Sequence, residues 1–223
     1  CKRGESDIFM FVNEDIAKDI SAKIKLPCKG EYIRLDLLSD VKVMGCSKAG
    51  ELDLQLSPTQ SQIVVFTDAK EEKDFKGLPD EKEYEIVKTE SITPAYSLEL
   101  AYFNDLSKFE KIGEFTEFFN ITSPKFKPDF AGKMRYTFDV EIEKNGKHIL
   151  LDLGRVGQNA EISVNGVNLG MRISKPYVFD IASVAKNGSN TVCVTVSNTL
   201  VRNTPDVFSK KLLLSPSGLL GNM

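Results

Sequence analysis

Tryptophan is absent, and histidine occurs once, at position 148. One imidazole with no patterned acid or nucleophile beside it gives no support to Ser-His-Asp or Cys-His catalysis, which needs a positioned base. The four cysteines, Cys1, Cys28, Cys46 and Cys193, form no CxxC pair. Together with a single histidine they lack the spacing of a Cys/His zinc cluster. A chain of 223 residues also needs no disulfide framework to fold. No apolar run approaches the ~20 residues that span a bilayer. Neither sign of charge dominates: 29 Lys and Arg stand against 32 Asp and Glu, a net charge of −3. That leaves no basic field for a phosphate backbone and argues against a nucleic-acid partner. There is no GxGxxG ahead of a helical pattern, no GxxxxGK followed by Ser or Thr, and no EF-hand loop. No segment repeats, and none is of low complexity.

What is present is period-2 alternation. Ile20, Ala22, Ile24 and Leu26 alternate with polar residues, as do Ile33, Leu35 and Leu37, and Leu52, Leu54 and Leu56. Phe9 and Phe11 share a face. Alternation puts every second side chain on one side of a sheet, so these are half-buried, antiparallel-type strands. Gln62-Ile-Val-Val-Phe66 is a continuous apolar run and predicts a strand buried on both faces. Pro27, Gly30, Gly45, Gly50 and Pro58 fall between the runs, where turns belong. Mixed charge then fills Asp68–Asp74 and Asp80–Glu83 around Gly77-Leu-Pro79, which reads as a solvated connector.

Strands resume from about Ile86. Tyr96, Leu98 and Leu100 alternate. Phe103, Phe109, Phe115, Phe118, Phe119, Phe126 and Phe130 lie in an irregular stretch that reads as a long connection anchored over a sandwich by its rings. Lys133–Glu143 places Tyr136, Phe138, Val140 and Ile142 on one face. Asn145-Gly146 and Asn165-Gly166 are type I′ hairpin signals, because both central residues of that turn need positive φ. Asn187-Gly188 marks another turn, ahead of Val192, Val194 and Val196. Cys193 in that run reads as a small buried hydrophobe. Asn120-Ile-Thr122 and Asn187-Gly-Ser189 match the glycosylation triplet, a pattern common by chance. Acidic residues lie mostly on solvent faces or in the connector, and no carboxylate pair stands out for acid–base chemistry.

The order of segments in the second half carries a resemblance. Phe130-Ala-Gly132 and Arg135-Tyr136 precede the strongest strand. Leu151-Asp-Leu-Gly154, Val164-Asn-Gly166, Leu169-Gly170, Pro176-Tyr-Val-Phe-Asp-Ile181 and Val196-Ser-Asn-Thr-Leu200 follow, and Leu214-Ser-Pro-Ser-Gly-Leu-Leu-Gly221 closes the chain. From about Pro94 to Met223 the sequence resembles the galactose-binding-like jelly-roll at the C-terminal end of bacterial family 106-type α-L-rhamnosidases and in family 2-type glycosidases. The first half is similar to the small β-sandwich ahead of it, through Asp7-Ile-Phe-Met-Phe-Val-Asn13, Leu54-x-Leu56-x-Pro58 and Ile63–Phe66. In such enzymes the catalytic acids lie in an upstream barrel, and no βα alternation here matches one.

The resulting expectation is an all-β chain of two consecutive antiparallel β-sandwiches, the second a galactose-binding-like jelly-roll. Residues 1–67 form the small sandwich, 68–85 the charged connector and 86–223 the jelly-roll. The resemblance implies a non-catalytic C-terminal piece of a glycoside hydrolase that contacts carbohydrate or scaffolds the upstream catalytic domain of the same polypeptide. A purely structural module without glycan affinity and a self-standing glycosidase are the alternatives. Arg155, Arg172, Tyr177 and Asn198 flank the matched strands and are the candidate carbohydrate-binding residues: Arg and Asn donate to ring hydroxyls, and Tyr stacks. Trp, the residue that sugar-binding faces favour alongside Tyr, is missing. No catalytic residue and no obligatory cofactor is expected; a structural calcium would draw on Asp129, Asp152 and Asp180. A periplasmic or extracellular setting is favoured.

Overall fold

The computed structural model describes residues 1–3, 6–15, 17–36, 41–47, 49–66, 87–144, 148–203, 214–221 and 223. The Asn145-Gly146 turn and the charged connector at 68–85 lie outside them. The chain divides into two compact units, Cys1–Lys88 and Thr89–Met223. Both are built of antiparallel strands, and the helical element among the described residues is one 3-10 turn, Leu200–Arg202.

The first unit contains β1 (Lys2–Arg3), β2 (Ser6–Val12), β3 (Ile20–Lys25), β4 (Gly30–Asp36), β5 (Val41–Ser47), β6 (Glu51–Leu56) and β7 (Ser61–Phe66). Five strands form one sheet in the order β1-β2-β7-β4-β5, and β3 pairs with β6. The central strand β7 explains the continuous apolar run. Val64 and Phe66 pack on one side with Leu52, Phe9, Phe11, Ile24 and Tyr32. Val65 and Ile63 pack on the other with Ile33, Leu35 and Ile8. Leu52, Leu54 and Leu56 are all buried on β6 while their neighbours are exposed.

The second unit contains β8 (Tyr96–Tyr102), β9 (Glu110–Phe115), β10 (Gly132–Ile142), β11 (Leu150–Asp152), β12 (Val156–Gly157), β13 (Asn159–Val164), β14 (Val167–Arg172), β15 (Val178–Asp180), β16 (Gly188–Ser197) and β17 (Gly218–Leu219). Regular structure begins at Tyr96, ten residues later than the alternation suggested. The main sheet runs β14-β13-β16-β10-β8-β9, and β11–β15 and β12–β17 form two short pairs.

Register turns the alternating sequence into rows. Ile162, Val194, Tyr136 and Leu98 lie opposite one another across four strands, and Ala160, Val196, Met134 and Leu100 form the next row. All eight are fully buried. Burying a side chain of this size is worth roughly 1.5–3 kcal/mol, so these rows supply much of the drive for the sheet to form. The same register corrects the reading of Cys193. It sits between Val192 and Val194, so a period of two turns it to the opposite face, beside Thr137 and Ser163, where it is only half-buried.

Within the phenylalanine-rich connection Phe130 is buried, Phe115, Phe118, Phe119 and Phe126 pack half-buried against the core, and Phe103 stays exposed. Phe118 stacks on Tyr96 at 4.9 Å, and Phe119 meets Phe126 edge-on at 5.1 Å. Phe130 packs edge-on against Tyr102 at 5.2 Å. Asn165 and Gly166 have φ of 52° and 82°, as a type I′ turn requires. Asn165 also donates to the Val184 carbonyl and to Asn190, and accepts from Thr191.

Candidate functional site

The four candidate residues fall around one short segment, 155–160, at an end of the second unit. Arg155 precedes β12, and its carbonyl accepts the Leu220 N–H at 2.8 Å. Arg172 closes β14 opposite Ala160, with its guanidinium carbon 5.7 Å from the Phe179 ring centroid. Tyr177 donates its hydroxyl to the carbonyl of Gln158. Asn198 follows Ser197, which pairs with Asn159.

Their surroundings differ from what their residue types suggested. Tyr177 is 5 % exposed, so its ring offers no face to a sugar arriving from solvent. Burial also pushes its phenol pKa up. Asn198 is tied inward. Its Oδ1 accepts the Gly132 N–H at 2.8 Å, and its Nδ2 donates to the Phe130 carbonyl at 2.9 Å and to Ser217 Oγ at 3.2 Å. The side chain of Arg155 is exposed, and that of Arg172 is half-buried.

Two residues that the sequence did not single out shape this end. Gln158 has φ of 95°, in the left-handed region that non-glycine residues avoid. Such strain persists only where the surroundings over-determine it, and here they do. The Tyr177 hydroxyl holds the Gln158 carbonyl, and Asn159 Oδ1 accepts the Ser197 N–H at 3.0 Å. On the other side Gly157 lies so close to the closing segment that a Cβ would collide with the Pro216 carbonyl oxygen and sit 2.8 Å from Ser217 Cα. The second residue is Arg202. Its Nη2 donates to the carbonyls of Ser215 at 2.6 Å and Leu214 at 3.3 Å. Burial lowers its pKa, opposed by the negative charge of Asp129.

A cavity of about 260 Å³ lies between them, lined by Gln158, Asn198, Thr199, Val201, Arg202, Leu214 and Ser215. Its wall combines two apolar side chains, Val201 and Leu214, with neutral polar groups and one cation. Glutamine carries no sequence signal for positive φ, so Gln158 was illegible as a strained position. Arg202 stands just past the matched Val196–Leu200 motif, and its proximity to that motif was the available clue.

The other candidate groups do not converge. The sole histidine pairs with Asp180, Nδ1 to Oδ2 at 2.6 Å, bridging the approach to β11 and the end of β15. Asp152 caps the Gly154 N–H. Among the described residues, no group of three or more His, Cys, Asp or Glu side chains gathers as a metal site, and no helix is long and apolar enough to cross a membrane. Asn120 of the first glycosylation triplet is held inward, accepting from Thr122 and from the Ser217 N–H.

No protein-family model matches the chain, and no curated protein does. A solved structure is similar: a rhamnosidase from Novosphingobium sp. PP1Y, at 23% identity and a TM-score of 0.65. The alignment covers 99% of this chain and 22% of the rhamnosidase chain. At that identity the likeness establishes the fold, an all-β antiparallel sandwich architecture. The chain spans less than a quarter of the length of the enzyme it resembles.

Proposed function

We propose that this chain is a non-catalytic accessory region of a glycoside hydrolase. It braces the catalytic domain of that enzyme and contacts carbohydrate at the end of the second unit, around Gln158 and Asn198. The observation that carries this reading is the coverage: nearly all of this chain aligns with under a quarter of a rhamnosidase. The titration of its acids points the same way. A glycosidase general acid needs a carboxyl group raised toward neutrality. Among the described residues, the carboxyl groups that depart from ordinary values, Asp105, Glu114 and Asp180, are held lower, Asp105 and Glu114 chiefly by side-chain hydrogen bonds.

A bracing role without glycan affinity is the second reading, and the inward bonds of Asn198 and Tyr177 favour it. Titration of the purified chain with a broad panel of oligosaccharides separates the two. Saturable binding supports the carbohydrate contact; a flat response from folded protein leaves only the bracing role. Deleting this region from the longer enzyme tests bracing itself. The account expects the remaining enzyme to lose thermal stability, and an unchanged melting temperature would overturn it.

A further inference from the structure

The cavity between Gln158 and Arg202 has a definite chemistry. At about 260 Å³ it lies below the ~300–1,000 Å³ of drug-sized sites, so it suits one ring rather than an oligosaccharide. Arg202 provides a guanidinium whose orientation is fixed by two backbone carbonyls through Nη2. Nε and Nη1 have no partner among the described residues. A guanidinium stays charged in a protein and offers hydrogen bonds only as a donor. Asp129 acts on it through charge, yet makes no ion pair with it among the described residues. A half-buried cation held by neutral carbonyls favours an anion as its remaining partner.

The neutral groups face the same space. Gln158 is part of the cavity wall, and its side-chain amide has no hydrogen-bond partner among the described residues. The Thr199 hydroxyl precedes the 3-10 turn but makes no side-chain capping bond. Ser215 adds a second exposed hydroxyl, and Val201 and Leu214 supply an apolar wall. A ligand that satisfies all of these has a carboxylate, several hydroxyls and a C–H face.

We propose that this cavity binds a small polyhydroxylated carboxylate, of the uronate type, with Arg202 as the charged anchor and the Gln158 amide reading a ring hydroxyl. The proposal rests on the accessory carbohydrate-contacting role and gives it a ligand class. Tyr177 and Asn198 serve as positioning residues, one holding the Gln158 carbonyl and the other tying the wall to Gly132 and Ser217.

The test is a titration of the full chain with sodium D-galacturonate, followed by amide shifts in a two-dimensional NMR spectrum. Methyl α-L-rhamnoside and sodium acetate serve as comparison probes. Saturable shifts confined to residues 157–159, 198–202 and 214–216, with galacturonate well ahead of both other probes, support the proposal. Arg202→Gln should then weaken binding at least about tenfold, since a hydrogen bond to a charged group contributes ~1.5–3 kcal/mol. Gln158→Gly guards against a folding artefact: glycine accepts φ of 95° without strain, so the variant should melt no lower than the parent while losing affinity. Equal response to galacturonate and to the neutral glycoside would overturn the charged anchor and leave the accessory carbohydrate contact standing. Galacturonate no better than acetate, or no saturable shift with any probe, would overturn the site. In the latter case an oligosaccharide panel that is also flat would remove the carbohydrate contact.

Discussion

Replacing Asn198 by Ala should destabilise the second unit severely. The carboxamide makes three hydrogen bonds, to the Gly132 N–H, the Phe130 carbonyl and Ser217 Oγ. All three partner residues are buried, while Asn198 itself is half-buried at the cavity wall, so water entering the gap replaces the lost bonds only in part. A typical bond is worth ~1 kcal/mol net, and an unsatisfied buried partner costs ~1–3 kcal/mol. The total is about 3–5 kcal/mol, against the ~5–15 kcal/mol that stabilises an ordinary domain. For a unit spanning residues 89–223, that corresponds to a fall of roughly 10 °C or more in melting temperature. Circular dichroism or calorimetry reads it directly. Asn198→Asp sharpens the test. The carboxylate keeps the acceptor for Gly132 N–H but turns an oxygen toward the Phe130 carbonyl. Its cost should be at least that of alanine near neutral pH, and it should ease in acid, where the carboxyl gains a proton to donate. If Asn198→Ala melts within about 1 °C of the parent, Asn198 is not the knot described here, and the side chain is free to serve a ligand instead.

Gly218→Ala should be comparably damaging, because φ is 112° and the new methyl would meet Tyr136 Oη and lie 3.2 Å from Ile121 Cγ1. Strain of ~1–3 kcal/mol and overpacking of similar size combine there, and a denaturant melt checks it. Asp180→Asn should lower stability only mildly, since the pair with His148 is partly exposed. Burial raises the Asp180 pKa, but hydrogen bonds from His148 and the Ala182 N–H, with the charge of His148, outweigh it and hold the carboxyl below its ordinary value. A lowered folded-state pKa gives stability that is complete above the unfolded value of ~3.9 and is lost as pH falls through the folded value. The gap between parent and Asp180→Asn should therefore persist at neutral pH and close in strong acid; a gap that widened with acid would contradict the assignment.

Strand identity was legible because period-2 alternation is a direct record of which face is buried. Leu52, Leu54 and Leu56, and Val192, Val194 and Val196, report their burial without further context. So did the run at Ile63–Phe66, where apolar residues on both faces meet two separate clusters. Which of the singled-out residues come near one another follows from register: Arg172 pairs opposite Ala160, and Ser197, just ahead of Asn198, pairs with Asn159. The roles of those residues were not legible. Whether Tyr177 presents a ring or buries it depends on Gln158 lying above its hydroxyl, a contact across nineteen residues. The inward fate of Asn198 depends on Ser217 of the closing segment and on Gly132, sixty-six residues away. Neither local propensity nor spacing encodes those pairings; register and chain closure do.

The most direct test of the central claim is hydrolysis of p-nitrophenyl α-L-rhamnopyranoside by the purified, folded chain alone. The accessory role predicts release no faster than the buffer blank at any pH between 4 and 8. Turnover above the blank that scales with protein concentration and survives repurification would contradict it and make the chain an enzyme in its own right.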